Sequence, residues 1–355
     1  MKNTIRLGAV VAVAALALAA CASAPTDTPA PTDNSSATTP AESIDFKACM
    51  VSDAGGFDDK SFNQSGYEGL VQAAKDMGLD TATAESKDAT DYENNVNAMM
   101  DAGCDLTFTV GFLLGDATLA AATANTEAHF AIIDFAYDPA VDNIKPIVFD
   151  TDEAAFLAGY VAAGSTQTGT VATFGGMNIP TVTIFMDGFK SGVDYYNEVN
   201  GASVQLLGWD GASGSFTDDF DDTTKGQNLA QGFIDQGADI IMPVAGPVGL
   251  GAAAAAKAAG NVWIIGVDSD WSLTTQDAGY SDIILTSVMK NIANAVYDTI
   301  ETTATGSGFS NEAYVGTLAN GGVGLGPLAS AVPTEVSDAL AGIQADIISG
   351  AIQAS

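Results

Sequence analysis

The chain has 355 residues, 47% of them hydrophobic and 15% charged, which supplies a sizeable core and excludes a disordered protein. It carries 44 acidic against 11 basic residues, a formal charge of -33, so it repels polyanions. Nucleic acid is therefore excluded as a partner, anionic ligands are disfavoured, and a neutral or cationic small ligand suits the chain better. One histidine and three cysteines exclude a structural zinc site, and neither a metal nor a cofactor is expected.

At the N-terminus, Lys2 and Arg6 lead into an apolar run over residues 7–20, which ends Leu18-Ala19-Ala20-Cys21. Basic start, short apolar run and small residues are the layout of a secretory signal, and the cysteine stands where a bacterial lipobox has it. Residues 1–20 read as a lipoprotein signal peptide, with the Cys21 thiol receiving a diacylglycerol and becoming the anchored N-terminus. The run falls short of the roughly 20 residues a spanning helix needs. The protein is thus expected on the extracytoplasmic face of the cell membrane, held by its lipid. Residues 21–43, rich in Pro, Thr, Ala and Ser (Pro25, Pro29, Pro31, Pro40), read as a flexible tether.

Folded sequence is expected from 44 to 355. Residues 46–52 read as an apolar strand and 61–77 as a helix with Leu70, Val71, Ala74 and Met77 on one face. Strands follow at 106–110 and 130–134, each after a helix (91–102 and 116–127), and another at 147–149. A second series has strand 170–174, helix 181–198, strand 203–207, helix 224–236, strand 240–244, helix 248–259 and strand 262–267. Continuous Val/Ile-rich strands alternating with helices indicate parallel sheets covered on both faces. Two such series predict two α/β lobes, with the turn at 164–166 as crossover. A strand at 283–288, a helix at 291–304 and a Gly-rich strand region at 314–328 remain to cross back. Lobe 1 is set at about 45–150 plus 282–308, and lobe 2 at about 151–281 plus 309–355.

Cys49 and Cys104 each open an apolar run. Neighbouring parallel strands would set these starts side by side, so the pair is read either as a disulfide, permitted in an exported protein, or as two buried free thiols.

Ligands of such sheets bind outside the carboxyl ends of the strands. That rule selects loop 53–63, where Phe57 and Phe62 stand among Asp53, Asp58, Asp59 and Asn63, with Ser61 placed to cap the next helix. An aromatic face beside amide and carboxylate groups suits a flat heteroaromatic ligand: Phe stacks, while Asn63 and Asp53 bond ring edges. Asp134 and Asp268 both end strands, and a carboxylate can take two hydroxyls of a ribose diol, with Lys290 offsetting the charge. Each of these has a plainer reading as a turn or a solvated strand end.

Enzyme signatures are missing. His129, the single histidine, precedes a strand on the side away from the expected cleft. There is no Gly-x-Ser-x-Gly elbow, phosphate loop or His-Glu-x-x-His helix. The acidic run at 218–222 lacks the glycine placement of a calcium loop and reads as a solvated turn.

The string Gly-Gly-Phe-Asp-Asp-Lys-Ser-Phe-Asn-Gln stands unbroken at 55–64. With Phe-Ala-Ile-Ile-Asp at 130–134, Gly-Ser-Phe-Thr-Asp at 214–218, Gly-Val-Asp-Ser-Asp at 266–270, Thr-Ser-Val-Met-Lys at 286–290 and Gly-Gly-Val-Gly-Leu at 321–325, the chain resembles the basic membrane protein family. These are substrate-binding lipoproteins of ABC transporters, typified by purine nucleoside receptors. The resemblance implies a periplasmic-binding-protein type I fold, two doubly wound parallel-sheet lobes on a multi-crossover hinge. It implies that Asp53, Phe62 and Asn63 hold the base, Phe216 sandwiches it, Asp134, Asp268 and Lys290 hold the ribose, and the Gly246 backbone lies close to the ligand. Trp209 and Phe185 are the alternatives to Phe216. The expected protein is a monomeric receptor that captures a nucleoside, a purine one first, and presents it to an ABC permease without catalysis. The alternatives are a receptor of the same fold for another neutral ligand, a sugar or signalling molecule, or a surface nucleoside hydrolase.

Overall fold

A computed structural model describes residues 44–355. The expected signal peptide, the Cys21 lipidation site and the tether lie outside the described residues.

The first lobe runs β1 (Lys47–Ser52), α1 (Phe62–Met77), β2 (Asp80–Glu85), α2 (Ala89–Asp101), β3 (Leu106–Val110), α3 (Gly115–Ala124), β4 (His129–Ile133) and β5 (Ile144–Phe149). The second runs α4 (Thr151–Ser165), β6 (Thr170–Gly175), α5 (Pro180–Asn200), β7 (Gln205–Leu207), α6 (Thr223–Ile234), β8 (Ile240–Val244), α7 (Val248–Ala259), β9 (Trp263–Asp268), α8 (Trp271–Thr274) and β10 (Ile284–Lys290). The chain then returns to the first lobe for α9 (Ile292–Thr305) and β11 (Tyr314–Gly316), and to the second for β12 (Val323–Leu325) and α10 (Thr334–Ile348). The two sheets are ordered β11-β5-β4-β3-β1-β2 and β12-β10-β9-β8-β6-β7. Every pairing is parallel except β12 against β10.

Central strands such as β3 and β8 are buried along their whole length, so each residue gains from being apolar on both faces. In the first lobe α1 and α9 cover one face and α2 and α3 the other; in the second α4 and α5 face α6 and α7 across the sheet. The Cys49 and Cys104 sulfurs are joined in a disulfide, with Cα atoms 5.9 Å apart. Because β1 and β3 are parallel neighbours, this bond lies at the N-terminal edge of the sheet.

Several sequence expectations are corrected. The polar segment Asp80–Glu85, read as no element, is the edge strand β2. Of the two places the sequence offered for the first crossover, the 164–166 turn and the lobe bound at 150, the packing of α4 on α5 puts it at Asp150. The strand Ile284–Lys290, assigned to lobe 1, pairs with β9 in the second sheet. The first lobe thus regains the chain only at Asn291, and Tyr314–Gly316, assigned to lobe 2, pairs with β5 in the first sheet. The three crossovers run side by side, with Asp150 N–H donating to Gly316 O at 2.8 Å and Asn291 N–H to Gly322 O at 2.9 Å.

Candidate functional site

The C-terminal ends of both sheets face one cleft. From the first lobe come Asp53, Asp59, Phe62, Asn63, Gly111, Phe112 and Asp134, and from the second Phe185, Phe220, Gly246, Asp268 and Lys290. Asp134 and Asp268 occupy corresponding places, just after β4 and at the end of β9, the fourth strand in chain order of each lobe. Both have φ of 68°, left-handed backbone that a non-glycine residue keeps only where its surroundings hold it. That turn aims each carboxylate into the cleft.

Loop 53–63 is organised by Asp59. Its carboxylate accepts the backbone N–H of Ser61 at 2.9 Å, Asn63 at 2.9 Å and Gln64 at 3.0 Å. It therefore does the capping work at the start of α1 expected of Ser61, whose side chain makes no cap bond. Asn63 Nδ2 donates to Asp53 Oδ1 at 3.1 Å and to Ala54 O at 3.2 Å, while its buried Oδ1 has no partner and remains open as an acceptor. Gly111 is required beneath Asp53, since a Cβ there would stand 1.9 Å from Asp53 Oδ2.

Lys290, 2% exposed at the end of β10, donates to Asp134 across the cleft. Its Nζ lies 4.7 Å from the Phe62 ring centroid, 5.2 Å from Phe149 and 5.9 Å from Phe185, so aromatic faces surround the cation.

Phe216 is not among the residues that line the cleft; its ring packs edge-on against Trp209 at 6.1 Å and its backbone bridges to Gly175. Phe220 stands in its place, resting on Gly176, where any Cβ would come within 2.3 Å of the ring. Nor is the acidic run at 218–222 merely a solvated turn. Asp219 accepts from the amides of Asp221 at 2.6 Å and Asp222 at 2.9 Å and from Lys225 Nζ at 2.7 Å. Its own N–H donates to Gly176 O at 3.2 Å, so the turn carrying Phe220 is fastened to the cleft wall.

The sequence of residues 46–355 matches the family described as Bmp, ABC transporter substrate-binding protein PnrA-like. The chain belongs to the Bmp family. Among its relatives is the ABC transporter nucleoside-binding protein BmpA of Lactococcus lactis, 34% identical over 334 residues, spanning 90% of this chain and 92% of that one. Basic membrane protein A of Borreliella burgdorferi is 32% identical over 253 residues, 70% of each chain. The crystal structure of an ABC transporter solute-binding protein from Aeropyrum pernix superposes with a TM-score of 0.78 at 26% identity, covering 87% of this chain and 92% of that one. The Bmp family is one of substrate-binding proteins for ABC transporters and not of enzymes.

In this Bmp-family cleft, electrostatics follow from burial. Burial pushes the Asp53 carboxyl up to about 8, with Asn63 pulling down and Asp59 and Asp134 pushing further up. Asp268 is pushed up to about 6 by burial, against the pull of Lys290 and of the Ser61 hydroxyl. Burial also raises Asp134, and Lys290 offsets only part of the cost. Burial raises Asp59 while the three amides pull against it. The cleft therefore offers an Asp53 carboxyl that holds its proton toward neutral pH, an open amide oxygen, further carboxyl groups, one lysine and aromatic rings from both lobes. Such a set is chemically suited to a neutral molecule with hydroxyl groups and an aromatic face, and its acidic lining disfavours phosphate. Among the described residues no cluster of His, Cys, Asp and Glu is arranged to hold a metal ion.

Proposed function

We propose that this protein is a lipid-anchored extracytoplasmic receptor that captures a nucleoside, a purine nucleoside first, and presents it to an ABC permease. The observation that carries this reading is the pairing of two left-handed strand-end carboxylates, Asp134 and Asp268, with aromatic rings from opposite lobes, Phe62 and Phe220. A ribose diol matches the carboxylates and a base matches the rings. The Lactococcus lactis relative named as nucleoside-binding agrees with it.

In this mechanism Asp53 and Asn63 meet the base edge, Phe62 and Phe220 cover its faces, Asp134 and Asp268 take ribose hydroxyls, and Lys290 balances their charge. The Gly246 backbone closes the wall. The lobes hinge about the three crossovers, and the closed form is favoured by contacts the ligand makes with both lobes at once. No bond is made or broken.

Calorimetric titration of residues 44–355, unfolded and refolded to strip carried ligand, against adenosine, guanosine, inosine, uridine and ribose tests the reading. Tight binding of purine nucleosides with none of ribose is expected; silence toward all five removes the nucleoside assignment. Anchoring is tested separately: the full chain partitions into detergent and Cys21→Ser does not. Partitioning of the Cys21→Ser variant like wild type would remove the lipid anchor.

A further inference from the structure

The lobes are tied by bonds that need no ligand. Ser61, 1% exposed at the head of α1, donates from Oγ to Asp268 Oδ2 at 2.8 Å, with Val267 O at 3.1 Å from the same atom. In the opposite direction Ser269 Oγ donates to Lys60 O at 2.9 Å. Lys60 and Ser61 of the first lobe thus exchange hydrogen bonds with Asp268 and Ser269 of the second.

Three features mark this exchange as more than incidental packing. The residues on its two sides are held in left-handed backbone, Lys60 at φ 63° and Asp268 at φ 68°. Such conformations persist for non-glycine residues only where surrounding contacts over-determine them. Ser61 occupies the helix N-cap position yet leaves capping to Asp59, so its hydroxyl is free to reach the other lobe. Finally, its acceptor is a cleft carboxylate, so one Asp268 oxygen is taken by the protein and the other is left for a ligand.

We propose that Ser61 is a positioning residue that couples capture to closure, orienting Asp268 while latching the first lobe to the second. This rests on the substrate-capture reading of the cleft. The bond exists only when the lobes are together, so it lowers the closed state relative to the open one. Its loss acts on ligand release and leaves association unchanged. The Ser269–Lys60 bond acts in the same direction without touching a cleft carboxylate.

Stopped-flow association and dissociation of inosine and adenosine with wild type, Ser61→Ala and Ser269→Ala decides the matter. For Ser61→Ala we expect dissociation faster by about tenfold, as for loss of a hydrogen bond to a charged group, with association within about twofold. Ser269→Ala moves the same way by less. Unchanged dissociation in both variants, or a loss that falls on association, overturns the latch. If wild type binds no nucleoside, the ligand reading fails on its own and small-angle scattering of the ligand-free proteins decides the latch. A larger radius of gyration for Ser61→Ala supports it, and equal radii overturn it.

Discussion

Lys290 of the second lobe and Asp134 of the first meet as an ion pair inside the cleft, their side chains 2% and 9% exposed. Among the described residues Lys290 is the single cation lining a cleft that holds Asp53, Asp59, Asp134 and Asp268, so its ammonium sets the charge balance of the site. Breaking a buried pair from one side leaves an uncompensated group and costs about 3–5 kcal/mol. Lys290→Met should therefore destabilise the domain by about 3 kcal/mol in urea unfolding and abolish ligand binding. Adding Asp134→Asn should restore part of the stability and none of the binding. A double mutant no more stable than Lys290→Met would mean that the pair is not coupled.

The pH dependence of stability follows from Asp53 and Asp268. In the unfolded chain both titrate near 3.9, whereas burial holds them at about 8 and about 6 in the fold. Between these values the folded state keeps a proton that the unfolded state has released, so the stability these two groups contribute is full below about pH 4 and is lost as pH rises. One group contributes a slope of at most about 1.4 kcal/mol per pH unit. Asp268 ceases to contribute near 6, while Asp53 goes on contributing up to about 8. The urea midpoint of the ligand-free domain should fall through this window, and Asp53→Asn should flatten it between pH 6 and 8. An equal slope in the variant would show that Asp53 is ionised in the fold.

In the proposed capture Phe220, which lines the cleft, stacks on the base and Phe216, which does not line it, stays out. Base–aromatic stacking is worth about 1–3 kcal/mol, so Phe220→Ala should weaken nucleoside binding by roughly tenfold to a hundredfold, while Phe216→Ala leaves it within about threefold. Asp219, held at about 2 because Lys225 and the amides of Asp222 and Asp221 outweigh its burial, fixes the turn that carries Phe220. Asp219→Ala should reproduce a fraction of the Phe220→Ala loss, together with a lower melting temperature from the lost turn bonds. Calorimetry on the three variants measures this directly, and a larger loss for Phe216→Ala than for Phe220→Ala would reverse the assignment.

What the sequence left illegible has physical causes. The central strands stood out because burial on both faces demands continuous apolar runs, and strand ends then pointed to Asp134, Asp268 and Lys290. The segment Asp80–Glu85 is an edge strand whose exposed positions tolerate Thr, Asp and Glu, so no apolar run marked it. Helix α4 is buried on nearly all sides and thus carries no amphipathic period to read. Which sheet β10 joins depends on a tertiary pairing with β9 that leaves no local pattern. Phe216 and Phe220 lie four residues apart in one irregular loop. Each rests against a glycine, Phe216 on Gly175 and Phe220 on Gly176, so what sets Phe220 at the cleft is the Asp219 turn, which has no periodic signature.

The Cys49–Cys104 disulfide separates stability from binding. It closes a loop of 55 residues in the unfolded chain, and in the chain-entropy account a loop of that length stabilises the fold by roughly 4 kcal/mol. Both cysteines sit toward the N-terminal ends of β1 and β3, while every cleft residue of the first lobe lies beyond the C-terminal ends of its strands. Reduction, or the double change Cys49→Ala with Cys104→Ala, should therefore lower the urea midpoint by an amount equivalent to about 2–4 kcal/mol and leave nucleoside affinity within about twofold. Affinity that falls in step with stability would mean that strain at one end of the sheet reaches the cleft at the other.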